Sequence, residues 1–246
     1  MSLSQLEKYL RENPVIAPTT PQKRTVILVS GSKGNYLKRH ISRIHPEKNI
    51  IFESKGGRNS KQAVDLIAAN VQNYRRKYGN ILLILWTGTC DLTSKVGQNR
   101  YGRKIIVDLN TVQVEDIVHQ YNKFFEICSS YGDSVKGLIL ECPYYSISIW
   151  NSVQGHPNPS IFDQNNLILH HKINELNQNI KELNSTYGVQ APRFSCDMIK
   201  TRKLKKSYPT KTVSYSLLKD GIHPGVTLSQ YWIRRIVIAV IFKYCY

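Results

Sequence analysis

Six consecutive residues, Thr25-Val26-Ile27-Leu28-Val29-Ser30, constrain this chain more than any other feature. Apolar, largely β-branched side chains follow one another there without the alternation of a half-exposed strand. That is the pattern of a strand covered on both faces, and such strands belong to parallel sheets. Ile81–Trp86 repeats the pattern, and Asn49–Glu53 and Val135–Glu141 are weaker versions of it. Helical spacing separates them. Lys61–Tyr78 carries Val64, Ile67, Ala68 and Val71 on one face. Val114–Tyr131 follows, and Asp163–Tyr187 carries Leu167, Ile173, Leu176, Ile180 and Leu183. A further helix is predicted through Leu37 and Ile41, and a last one over Thr227–Tyr244. Arg193–Met198 reads as a weak fifth strand.

Strands alternating with helices predict an α/β domain over residues 25–246: three layers, α/β/α, around a mostly parallel five-stranded sheet. Residues 1–24 combine a short helical pattern with the Pro- and Thr-rich Ala17-Pro18-Thr19-Thr20-Pro21, and read as an arm or linker suited to a segment of a longer protein. Two stretches break the rhythm. Lys95–Leu109 reads as an inserted hairpin with its tip near Arg100-Tyr101-Gly102-Arg103, and Lys200–Lys211 as a polar, basic loop.

Composition adds one constraint. The 246-residue chain sets 34 Lys and Arg against 17 Asp and Glu, a formal charge of +17. Such an excess says nothing of fold but favours polyanionic partners, nucleic acid among them; a solvated Lys-rich surface accounts for it equally well. Lys200, Arg202, Lys203, Lys205 and Lys206 are the densest basic group and the candidate polyanion contact. The five cysteines are dispersed, with no C-x-x-C pair, so neither a disulfide framework nor a zinc site is expected. Unpaired cysteines and an N-terminus without an apolar signal segment suggest an intracellular setting, without separating nucleus from cytoplasm. Arg234 and Arg235 interrupt the last apolar run and argue against a membrane span.

In parallel α/β sheets ligands sit beyond the carboxyl ends of the strands, and small residues collect there. Ser30-Gly31-Ser32-Lys33-Gly34 follows the first strand, Lys55-Gly56-Gly57-Arg58-Asn59-Ser60 the second, and Thr87-Gly88-Thr89-Cys90-Asp91 the third. Each has an ordinary reading as a turn and helix cap. The seven residues Lys219-Asp220-Gly221-Ile222-His223-Pro224-Gly225 precede the last helix. Asp and His three residues apart on a Gly- and Pro-shaped turn can set a carboxylate on one imidazole nitrogen and leave the other for a hydroxyl.

The order of these blocks resembles that of the SGNH hydrolases, the GDSL-like esterases, across residues 25–244. With Leu140-Glu141-Cys142-Pro143-Tyr144-Tyr145 it also resembles the esterase-like SGNH domains of retroelement proteins. The resemblance implies an SGNH-hydrolase or flavodoxin-like sheet and a serine ester hydrolase acting through an acyl-enzyme, with no metal or organic cofactor. Ser32 would be the nucleophile, His223 the general base and Asp220 its orienting carboxylate. Ser32, Gly57 (or Gly56) and Cys90 would form the oxyanion hole. Two positions depart from the family pattern. Gly31 stands where the family has aspartate, and Cys90 stands where it has an oxyanion-donating asparagine, a weak donor in place of a good one. The competing expectation is a catalytically impaired SGNH module that binds nucleic acid or another polyanion. A third expectation, an enzyme acting on acidic glycan or lipid esters, uses both features.

Overall fold

The computed structural model describes residues 1–41, 49–98, 105–202 and 210–246. Four strands form the central sheet: β1 (Thr25–Ser30), β2 (Ile50–Ser54), β3 (Ile81–Trp86) and β6 (Val135–Ile139), in the order β2-β1-β3-β6 and all parallel. Val26 to Val29 and Ile81 to Leu85 are all 0% exposed, which explains why their sequence lacks alternation. A fully buried aliphatic side chain contributes about 1.5–3 kcal/mol, so the two strands form the core of the sheet. The register is flush at one end: Ser30 pairs with both Ser54 and Trp86. The three loops that follow therefore leave the sheet at the same level.

Helices cover both faces. One layer holds α1 (Leu3–Glu12), α2 (Ser32–Arg39) and α9 (Val226–Ile236). The other holds α3 (Ser60–Tyr78), α5 (Val114–Ser129) and α7 (Asp163–Thr186), and a one-turn helix, α4 (Thr89–Leu92), follows β3. Helix α3 begins one residue before its predicted start, at an Asn59 cap whose side chain accepts from Gln62 N at 2.9 Å. Helix α9 runs on through a π-turn, Val237–Ile241, to α10 (Phe242–Cys245). Residues 1–24, read from the sequence as an arm or linker, contact the rest of the chain. Leu6 is fully buried, Tyr9 packs edge-on against Tyr231, and Arg234 donates to Leu10 O and Asn13 O.

The fifth strand is corrected. Phe194–Asp197 is a short helix, α8, and the central sheet has four strands among the described residues. Side chains hold this segment out of the sheet. Ser195 donates to Glu141 Oε2, Asp197 accepts from Trp232 Nε1 and Arg235, and Phe194 packs on Trp86 and Trp232. Asparagines of α7 take the place of a further strand along β6. Asn184 accepts from Ile139 N at 3.0 Å and donates to Ile139 O at 2.7 Å; Asn177 does the same for Cys142, both at 2.8 Å. These amides satisfy edge groups that would otherwise be buried unpaired.

The inserted hairpin is present as β4 (Thr93–Gln98) and β5 (Ile105–Leu109), against which α6 (Ile147–Val153) packs; its expected tip lies outside the described residues. The expected basic loop at 200–211 is corrected in part. Its ends form an antiparallel ribbon, β7 (Ile199–Arg202) with β8 (Thr210–Val213), while Lys203, Lys205 and Lys206 lie outside the described residues.

Candidate active site

Ser32 is the first residue of α2, directly after β1, with Gly31 as N-cap. The helix starts there because it is pressed onto the strand. A Cβ on Gly34 would lie 2.0 Å from Ser30 Oγ and 2.2 Å from Ser54 Oγ, so only glycine permits this approach. The N–H groups of a helix's first turn have no partner within the helix, which leaves the Ser32 N–H available at the edge of the sheet.

His223 reaches Ser32 from the far end of the chain. The turn that carries it is closed by Lys219 N donating to His223 O at 2.8 Å and Gly225 N donating to Leu217 O at 2.9 Å. Asp220 Oδ1 accepts from Ile222 N at 3.1 Å and His223 N at 2.8 Å; its Oδ2 lies 2.8 Å from His223 Nδ1. His223 Nε2 lies 2.8 Å from Ser32 Oγ. Gly221 makes the turn possible, with φ +86° and its α-carbon against Ile149 and Trp150, where a Cβ would come within 2.9 Å. The His223 ring stacks on Tyr36, centroids 4.3 Å apart, and meets the Trp150 ring edge-on at 5.6 Å.

Asp220 is 8% exposed. Burial works to raise its pKa, but hydrogen bonds from the His223 ring and from the backbone of His223 and Ile222, with the His223 charge, outweigh it and hold the carboxyl below its ordinary value. An ionised carboxylate only accepts, so Nδ1 carries the proton that bridges to Asp220, and Nε2 is left to meet the serine hydroxyl.

The other loops meet beside Ser32. Gly57 has φ +79°, and its backbone N–H lies close enough to the Cys90 thiol to act on it. Burial pushes the Cys90 thiol up; Lys33 and the Gly57 N–H oppose the shift, while Asp91 adds to it. Asp91, read from sequence only as a cap, ties two loops together. It accepts from Ser60 N at 2.9 Å, from Ser60 Oγ at 2.6 Å and from Gly88 N at 3.0 Å. Burial raises its pKa and those bonds resist. Thus Ser32, Asp220 and His223 are brought together, and Gly57 and Cys90 adjoin one another. Lys200 is exposed on the β7–β8 ribbon, with Nζ 3.3 Å from Ser216 Oγ, and Arg202 ends β7. Trp86 and Trp232 are core residues, and Tyr144 and Tyr145 are buried.

No protein-family model matches the sequence, and no curated protein matches it. Solved structures match its shape. A GDSL-like lipase from Bacteroides thetaiotaomicron superposes with a TM-score of 0.60 at 17% identity, over 98% of this chain and 99% of that one. An acetyl xylan esterase gives 0.55 at 13% identity, over 87% and 98%. A lipase/acylhydrolase from Enterococcus faecalis gives 0.50 at 14%, over 87% and 95%. The chain has the GDSL-like hydrolase fold. Within that fold, the Ser32–His223–Asp220 chain of hydrogen bonds stands at the carboxyl edge of the sheet, where parallel α/β sheets hold their ligands. Sequence reading missed Tyr36 as a neighbour of this edge, and the tie that Asp91 makes between two of its loops. Only the short spacing of Tyr36 from Ser32, one helical turn, signalled that the ring would overhang the same site. Among the described residues no helix is long and apolar enough to cross a membrane.

Proposed function

We propose that this protein is a serine ester hydrolase. The observation that carries the reading is the unbroken chain from Asp220 Oδ2 to His223 Nδ1 and from His223 Nε2 to Ser32 Oγ, each link 2.8 Å. Ser32 Oγ attacks the ester carbonyl carbon while its proton passes to His223 Nε2, and the carbonyl electron pair moves onto oxygen. The N–H groups of Ser32 and Gly57 receive that oxyanion. Collapse re-forms the carbonyl and breaks the bond to the leaving alkoxide, which takes the proton from His223. Water, giving its proton to His223, then attacks the acyl carbon; collapse breaks the bond to Ser32 Oγ, which takes that proton back from His223, and the acid leaves. Asp220 stays ionised throughout and holds the ring in the required tautomer. The test is hydrolysis of a p-nitrophenyl ester of a short acyl chain by the wild type and by Ser32→Ala. The reading expects turnover by the first alone; equal rates contradict it.

A second reading, a polyanion-binding surface, is favoured by exposed Lys200 and Lys211 on the β7–β8 ribbon in a chain of formal charge +17. If these lysines contact phosphates, single-stranded nucleic acid should bind with a steep salt dependence. Neutralising each should then lower the magnitude of the slope of log K against log salt by about 0.7. An unchanged slope removes the ribbon from the contact.

A further inference from the structure

Lys33 follows Ser32 in sequence and is 5% exposed. Its ammonium donates to Thr89 Oγ1 and stands 5.2 Å from the centroid of the fully buried Tyr145 ring. Among the described residues it forms no ion pair and makes that one hydrogen bond, although an ammonium can donate three. Burial pushes its pKa down; Cys142, Cys90 and Asp220 oppose the shift. A buried cation without a counter-ion is costly to a fold. It becomes favourable where negative charge develops during a reaction.

Such a place adjoins it. Lys33 lines a cavity of about 10 Å³ together with Ser32, Arg58, Thr89 and Cys90. That is room for one water-sized group, such as a single carbonyl oxygen. Two cations and no carboxylate border the cavity. Arg58 is engaged by backbone carbonyls, Ser30 O and Glu53 O; Lys33 keeps donors to spare.

We propose that Lys33 supplies the positive charge of the oxyanion pocket, in place of the side-chain donor that Cys90 lacks. The inference rests on the ester-hydrolase reading and deepens it. As Ser32 Oγ bonds to the carbonyl carbon and its proton goes to His223, the electron pair displaced onto the carbonyl oxygen lies against the Lys33 ammonium. Lys33 keeps its proton and is unchanged at the end of the cycle. The interaction is stronger in the tetrahedral intermediate than with the neutral ester, as rate acceleration requires.

Lys33→Met keeps the stem and removes the charge. The expected result is a kcat about 10²–10³-fold lower, with KM little changed and Tm equal to or above that of the wild type, since a buried charge has been replaced by an apolar group. Cys90→Asn should then raise kcat by a larger factor in the Lys33→Met background than in the wild type, because the amide restores a missing donor. A residue that only packs would show no such coupling. Should Lys33→Met fail to fold, Lys33→Gln keeps a neutral donor for Thr89 and is expected to show the same fall. Wild-type kcat in the folded variant, or a fall in kcat with no coupling to Cys90→Asn, overturns the role of Lys33 alone. Absence of Ser32-dependent hydrolysis in the wild type overturns the ester-hydrolase reading and this inference with it.

Discussion

The two halves of the site were assembled in different ways. The half proposed to move protons, Ser32, His223 and Asp220, is closed by hydrogen bonds of 2.8 Å, and the ring is held between Tyr36 and Trp150. The half proposed to receive the oxyanion is drawn from three loops and has a thiol, Cys90, where a good donor is wanted. The first half depends on one short turn, whose Asp and His lie three residues apart, plus one long-range meeting with Ser32. The second depends on the flush register of β1, β2 and β3 and on Asp91, which bonds the loop after β2 to the loop after β3. The first half thus needs one long-range contact, and the second needs three loops to agree. An oxygen pocket tolerates exchange of its donors more readily than a triad tolerates exchange of its base, because backbone N–H groups remain when a side chain changes.

If that contrast is right, the largest effects come from the first half. His223→Ala should lower kcat by about 10⁶-fold, as much as the loss of Ser32, because the members act as a unit. Asp220→Asn should cost about 10⁴-fold, through the wrong tautomer of the ring. Steady-state ester hydrolysis measures both, with circular dichroism to establish that the variants are folded. Losses below tenfold for either would break the comparison at its strong side.

The second half should respond in the opposite direction. Cys90→Asn adds a donor, and kcat is expected to rise about 10-fold, less than the 10²–10³-fold usually lost with one donor, because the loop is fitted to sulfur. A site given over to binding instead predicts background activity in this variant and a lower Tm from an unpaired buried amide. A fall from a robust initial rate would contradict both.

A smaller effect is expected on stability. The Asp220 carboxyl is held below its ordinary value in the folded chain. A depressed carboxyl contributes stability above the unfolded pKa and loses it as pH falls through the folded one. The stability of the wild type relative to Asp220→Asn should therefore be constant at neutral pH and fall as the solution is acidified below about 4. Denaturant titrations of both proteins across that range measure it. A difference that does not change with acidification would mean that the bonds to Asp220 Oδ1 and Oδ2 do not stabilise its charged form.

Much of the fold was legible because burial writes itself into local sequence. The β1 and β3 boundaries agree with the apolar runs Thr25–Ser30 and Ile81–Trp86, and α3 starts one residue from its expected place. Arg193–Met198 was misread because its conformation is decided by partners distant in sequence, Glu141, Trp232 and Arg235. The asparagines of α7 gave no sign that their amides would stand along β6. The Asp220–His223 contact was readable from a spacing of three on a Gly-Pro turn. The burial of Lys33 was not, since a lysine in the first turn of a helix is ordinarily solvated.

The central claim is that Ser32 is an activated nucleophile. A fluorophosphonate probe tests it without knowledge of the substrate, because the serine oxygen displaces fluoride from phosphorus and remains covalently attached. Labelling followed by mass spectrometry of the digested protein should place a single adduct on Ser32, with none in Ser32→Ala and almost none in His223→Ala. Labelling of Ser32→Ala at the level of the wild type, or an unmodified Ser32 in a folded protein after prolonged exposure to the probe, would contradict it.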